Sequence, residues 1–182
     1  MIHIKRYFEI DIKFNYVYTR EHKVNMVKKL NIYQKYSQKR KVVNLIGICF
    51  VIQPFDESTF ENRYEDSLVP AIEAAGLIPY RVDRDPSVVI PVLEIEAAIK
   101  KAEVVLADIS LDNPNVWYEL GIADTCQKPI VLICSNARKS RFPCDIQHRA
   151  IIKYKTGSKR DFHVLEVQIT EKIRSMIYSK VT

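Results

Sequence analysis

The stretch that decides the fold is Val104-Val105-Leu106-Ala107-Asp108-Ile109-Ser110, continued by Asn113-Pro114-Asn115-Val116-Trp117-Tyr118-Glu119-Leu120-Gly121. An apolar run ends in a carboxylate, a short polar loop follows, and a helix opens with a second acid in its second turn. A run that is apolar on both faces suits a central parallel strand, because helices cover both sides of such a sheet. In α/β sheets, ligands bind beyond the carboxyl ends of the strands. Asp108 and Glu119 are therefore expected to converge on one pocket.

Outward from this segment the same alternation repeats. Val43 to Ile52 reads as a first strand ending at Gln53-Pro54-Phe55. A helix follows, capped by Ser58 or Thr59, through Tyr64, Leu68, Ala71, Ile72 and Ala75, with Pro70 marking a kink or break and Gly76 the end. Leu77 to Val82 is a second strand, and Asp83 to Ser87 a polar loop. Pro91 opens a helix with Val92, Ile95, Ala98 and Ile99 as its buried stripe. Val104 to Asp108 is the third strand, and the helix to Cys126 is capped by Asn113, with Pro114 first, or by Asn115. Pro129 to Cys134 and Ala150 to Tyr154 are strands four and five. The amphipathic helix from about Asp161 to Ser179 runs through Val164, Leu165, Val167, Ile169, Ile173, Met176 and Ile177.

Five strands alternating with helices imply an α/β, doubly wound parallel five-stranded sheet in three layers, with right-handed crossovers and flavodoxin-like order. The chain of 182 residues has four glycines, none forming Gly-x-Gly-x-x-Gly, which argues against a dinucleotide or P-loop site. Residues 1–41 are a different text, a basic N-terminal extension before the domain of residues 42–182. Ile10 to Tyr18 alternates as one half-buried strand, and residues 21–41 read as a basic helix or linker. An added strand or hairpin, an oligomerisation arm and an over-long start all fit.

Charge divides along the chain. Residues 1–41 hold 11 Lys/Arg against 3 Asp/Glu, residues 42–149 hold 10 against 16, and residues 150–182 hold 7 against 3. The segment bearing the chemistry is acidic, and basic ends without interleaved aromatics argue against nucleic acid as a partner. Four cysteines without a Cys-x-x-Cys pair and four scattered histidines make no metal site, so the thiols are expected to be reduced and structural. No apolar run reaches the roughly 20 residues of a membrane span, and no secretory signal is visible. No membrane and a cytoplasmic location are the expectation, with no cofactor.

Asp108 has two readings, a catalytic carboxylate or a strand-end residue capping the next turn. Glu119 shares its helical stripe with Val116 and Ala123, which points it at a pocket unless it is simply exposed; Gly121 and Ala123 leave room for a ligand. Two acids without a phosphate loop suit cleavage at an anomeric carbon, one carboxylate meeting the oxocarbenium-like centre and another group managing a proton or hydroxyl. Phe55 can stack on a base or cover the core edge. Asp83 and Arg84 can meet a ligand, Arg84 through a phosphate, or form a surface ion pair. Of Trp117 and Tyr118, one packs in the core and the other walls the pocket. Asp145 and His148 close the site or make a turn.

Five blocks together resemble the nucleoside 2-deoxyribosyltransferase-like family. They are Phe50-Val51-Ile52-Gln53-Pro54-Phe55, Pro70 to Leu77, Ala107-Asp108-Ile109-Ser110, Asn113 to Gly121 and Lys128-Pro129-Ile130. That family is related in architecture to NAD-cleaving TIR domains. The resemblance spans about residues 43–155 and implies that Glu119 is the nucleophile forming a glycosyl intermediate, with Asp108 contacting the base or moving its proton. It further places Gln53, Pro54, Phe55, Asn113, Asn115 and Tyr118 around the substrate. Asn113 stands where the transferases carry an acid, with Asp112 one residue off register, and Gln53-Pro54-Phe55 replaces their usual first loop. Both departures favour hydrolysis over transfer. The expected partner is a small-molecule nucleoside or nucleotide, or NAD, with a homo-oligomer completing the site. The competing expectation is a nucleotide-sensing or signalling module without turnover, such as a bacterial defence effector.

Overall fold

The computed structural model describes residues 47–56, 58–84 and 91–178. Strands β1 (Gly47–Ile52), β2 (Leu77–Tyr80), β3 (Val104–Asp108), β4 (Ile130–Ser135) and β5 (Ile151–Tyr154) form one sheet. All pairings are parallel and the order is β2-β1-β3-β4-β5, the flavodoxin-like arrangement expected from the alternation. The strand expected at residues 10–18 and the basic segment 21–41 lie outside the described residues, as do 43–46 of the first expected strand.

Strand alternation sorts the core into two layers. Cys49, Val51, Val104, Leu106, Val131, Ile133 and Tyr154 face one side, where Leu68, Ile72, Leu165, Ile169 and Ile173 cover them. Phe50, Ile52, Val105, Ala107, Leu132 and Cys134 face the other, under Ile95, Ile99, Val116, Leu120 and Ala123. Both faces of β3 are buried, which is why that strand reads as continuously apolar. Cys49, Cys126, Cys134 and Cys144 are free thiols, Cys49 and Cys134 within the core.

The first covering helix is built in three pieces: α1 (Thr59–Arg63), a π-helical turn (Tyr64–Leu68) and α2 (Val69–Ala74). The expected kink at Pro70 takes this form. Proline supplies no N–H and its ring crowds the carbonyl four residues back, and the widened turn just before it moves the backbone aside, with the Val69 N–H donating five residues back to Tyr64. Gly76, at φ 90°, ends the helix through its N–H to the Glu73 carbonyl.

The start of α1 departs from expectation. Neither Ser58 nor Thr59 caps it with its side chain; the Asp56 carboxylate accepts the N–H groups of Thr59 at 3.1 Å, Phe60 at 2.7 Å, and Ser58 and Glu61 at 3.3 Å. A carboxylate reaches further than a hydroxyl and complements the positive helix end. Asp56→Ala is expected to lower the unfolding free energy by about 1–2 kcal/mol, measured by urea denaturation, whereas Ser58→Ala should leave it within error.

Helices α3 (Pro91–Lys101), α4 (Pro114–Thr125) and α5 (Lys159–Tyr178) complete the layers. Three residues of the expected stripes are corrected: Val92 on α3 and Val164 and Val167 on α5 are exposed. Each lies at the margin of its apolar arc; the residues packed on the core are Ile95, Ala98 and Ile99 on α3 and Phe162, Leu165, Ile169, Ile173, Met176 and Ile177 on α5. Residues 82–84 form a 3-10 turn where the end of a longer second strand and a loop were expected. Among the described residues, no helix is long and apolar enough to cross a membrane.

Candidate active site

The chain leaving β1 enters α1 on one face of the sheet, and the chain leaving β3 enters α4 on the other. Adjacent strands whose connections diverge open a crevice beyond their carboxyl ends. Helix α4 starts here because Asn113, in extended conformation, accepts the N–H groups of Asn115 at 2.9 Å and Val116 at 3.4 Å, with Pro114 following. Val116, Leu120 and Ala123 then bury against the sheet, and Glu119, on the same side, is only 7% exposed.

No hydrogen bond or ion pair holds the Glu119 carboxyl among the described residues. Burial, with the charge of Asp83 adding to it, pushes its pKa up to about 7. A carboxyl group in that state can serve as acid or as nucleophile at neutral pH.

Asp83 is held in place by a residue that the sequence pattern does not single out. Arg81, buried, donates to Asp83 through Nε at 3.0 Å and a terminal nitrogen at 2.5 Å, and its third nitrogen reaches Glu61 at 3.0 Å. Its guanidinium lies 4.5 Å from the Tyr64 ring centroid and 5.4 Å from that of Phe55. Arg84 is paired with Glu61 and with Glu65. One signal could have found Arg81: an arginine two residues before an aspartate, just past a strand, is close enough for its fork to close on the carboxylate.

Asp108 is elsewhere. Its side chain follows the parity of Val104 and Leu106 and lies on the α1 face, opposite α4, at 0% exposure. Four donors saturate it. The Ser110 N–H at 2.9 Å and hydroxyl at 2.5 Å take one oxygen; Arg63 at 2.9 Å and the Tyr154 hydroxyl at 2.7 Å take the other. The Ser110 hydroxyl oxygen also accepts the Ser135 N–H at 2.7 Å, and the Arg63 guanidinium lies near the rings of Phe60 and Tyr154. The two acids expected to converge are thus on opposite faces. Alternation within β3 decides this: one residue earlier or later, the side chain would face α4.

Other expected contacts divide in the same way. Gln53 turns toward α1, donating to the Phe60 carbonyl at 3.1 Å, and Pro54 is buried after it. Phe55 is half exposed over Arg81. Asn113 is occupied as the helix cap, and Asn115 is exposed. Trp117 packs partly into the core, and Tyr118 is 56% exposed on the outer side of α4, in a groove shared with Lys100 and Gly121. Asp145 and His148 are exposed in the turns before β5. Arg138, likewise unmarked by any sequence pattern, ties the β3–α4 loop to the loop after β4, donating to the Ile109 carbonyl at 3.0 Å and pairing with Asp112. Among the described residues, no group of three His, Cys, Asp or Glu could hold a metal ion.

No protein-family model matches the chain, and no curated protein matches it. A diflavin flavoprotein of Nostoc sp. superposes with a TM-score of 0.53 at 10% identity, over 74% of this chain and 96% of that one, and shares the fold. The CMP N-glycosidase of Clostridium botulinum aligns at 17% identity, over 65% of this chain and 98% of that one, with a TM-score of 0.48. The TIR domain of a Toll-related receptor of Hydra magnipapillata aligns at 18% identity, over 70% and 97%, with a TM-score of 0.49.

Proposed function

We propose that the chain cleaves, or transfers across, the N-glycosidic bond of a nucleoside, nucleotide or NAD, with Glu119 as nucleophile. The observation that carries this reading is the isolation of Glu119: a buried carboxyl without an ion-pair partner among the described residues, at the switch-point crevice, beside Asp83. A buried acid without a partner costs stability, and such groups cluster where chemistry needs them.

In this reading the Glu119 carboxylate attacks C1′ as the carbon–nitrogen bond breaks. The bonding electrons leave with the base; a nucleobase takes a proton from solvent or from a neighbouring acid, whereas nicotinamide leaves NAD as the neutral molecule without one. Water then attacks C1′, releasing the sugar and restoring Glu119; an acceptor base in place of water makes the reaction a transfer. Asp83, clasped by Arg81, places a fixed negative charge near the developing cationic centre. Phe55, half exposed over the buried Arg81, offers a flat surface for a base. Asp108 acts at one remove, holding the β3 end that leads into α4. A second reading, nucleotide sensing without turnover, draws on the full engagement of Asp108, which leaves that carboxylate occupied rather than free for a substrate.

The test is base release, followed by chromatography, from ribonucleosides, deoxyribonucleosides, their monophosphates and NAD, with and without an acceptor base. Release that is lost in Glu119→Gln is the expected result, and exchange of bases would identify a transferase. No release from any member would sink the enzymatic reading in favour of the sensor. As a nucleophile titrating at about 7, Glu119 should also make kcat/KM rise with pH and level off above roughly 8. A pH-independent rate between about 5.5 and 8 would contradict the role.

A further inference from the structure

We propose that the domain carries a second ligand site on the α1 face, opposite Glu119, for a pentose bearing a vicinal diol, free or as the sugar of a nucleoside. A cleft of about 570 Å³ lies there, between the π-turned helix, the loops after β3 and β4 and the start of α5. That volume is within the range of small-molecule sites.

Its floor is the buried Arg63, and the Arg63 Nε is a fully buried donor with no partner among the described residues. A buried donor left unpaired is costly. Asp108 accepts from a terminal nitrogen of Arg63, and no group in that network accepts from Nε.

The lining defines the ligand by exclusion. The charge of Arg63 is matched by Asp108, and the remaining ionic group in the cleft is the Asp66 carboxylate. Anions such as phosphate are therefore disfavoured by charge. Ser67, Ser135 and Thr156 contribute hydroxyls, which both donate and accept, the pattern that complements a polyol. The Ser135 hydroxyl oxygen accepts the Ala137 N–H at 3.1 Å and keeps its proton for a ligand. Phe162 gives an apolar wall for the carbon face of a sugar. Asp66 is exposed at the rim, where a carboxylate can accept from two adjacent hydroxyls.

This site is independent of the proposed chemistry, and its test separates the two. D-ribose, 2-deoxy-D-ribose and uridine would be titrated into the full chain by calorimetry, alongside Glu119→Gln, Asp66→Ala and Thr156→Val. The last two sites are exposed, so the fold should survive both changes. Ribose binding that weakens at least tenfold in Asp66→Ala, weakens in Thr156→Val and persists in Glu119→Gln is expected, with the deoxy sugar weaker than ribose. Uridine binding with the same variant pattern, and no ribose binding, would assign the site to nucleosides. Binding of neither probe would overturn the proposal. So would binding indifferent to Asp66→Ala, or lost only in Glu119→Gln.

Discussion

Glu119→Gln is expected to lower turnover by about three orders of magnitude or more while making the protein more stable above neutral pH. The two effects have one cause. In the folded protein the Glu119 carboxyl loses its proton at about 7, whereas its ordinary value is 4.5. The folded state therefore binds the proton more tightly than the unfolded chain between these values, and stability falls as pH rises through that window. Below about pH 4.5 the group is neutral in both states and contributes nothing. Above about pH 7 the full penalty is present, about 3 kcal/mol from the size of the shift. Glutamine is close in shape and carries no charge, so the variant escapes the penalty. Urea denaturation at about pH 5 and about pH 8 reads this directly: the advantage of the variant should be small at the lower pH and largest at the higher. An advantage that does not change with pH would show that the Glu119 carboxyl is not held in the environment described.

The largest loss of stability is expected at Asp108. Asp108→Ala leaves the Arg63 guanidinium buried without its counter-charge and frees the hydroxyls of Ser110 and Tyr154. Removing one partner of a buried pair costs about 3–5 kcal/mol, a large share of the roughly 5–15 kcal/mol that holds a domain together. Tyr154→Phe removes one hydrogen bond and should cost only about 1 kcal/mol. The decisive comparison is the double variant Asp108→Leu with Arg63→Met. Apolar residues of similar volume can replace a buried pair at little cost, so the double variant should recover much of what Asp108→Ala loses. A double variant whose loss equals the sum of Asp108→Leu and Arg63→Met measured singly would mean that Arg63 and Asp108 do not act as a pair. Thermal or urea unfolding monitored by circular dichroism would measure the parent protein and every variant.

Much of this fold is legible in the order of the amino acids. Apolar runs rich in β-branched residues, each bounded by polar loops, identify the five strands, and β3 ends at Asp108 as the pattern indicates. The cap of α4 at Asn113 and the stop at Gly76 follow from local chemistry, side-chain acceptance of backbone N–H groups and freedom for positive φ. These features are local, and a sequence states local features directly. The cap of α1 falls at Asp56 rather than at Ser58 or Thr59 because three residue types within four positions can all accept, and only the path of the chain brings Asp56 onto the helix end.

The candidate site is legible in part. Glu119 stands out because it is an acid on a buried helical stripe, and its burial agrees with that. The same reasoning applies to Arg63, which shares a stripe with Phe60 and Ser67, but a cation on such a stripe is easily taken for a snorkelling surface residue. The order of the residues carries the inventory: five strands, their covering helices and the acids that stand at the sheet's carboxyl edge. Which face each acid serves is set by the folded sheet. Asp108 and Glu119 are eleven positions apart, yet the sheet lies between their side chains. Strand parity sets one direction, the α4 crossover sets the other, and neither can be read until the strand order β2-β1-β3-β4-β5 is known.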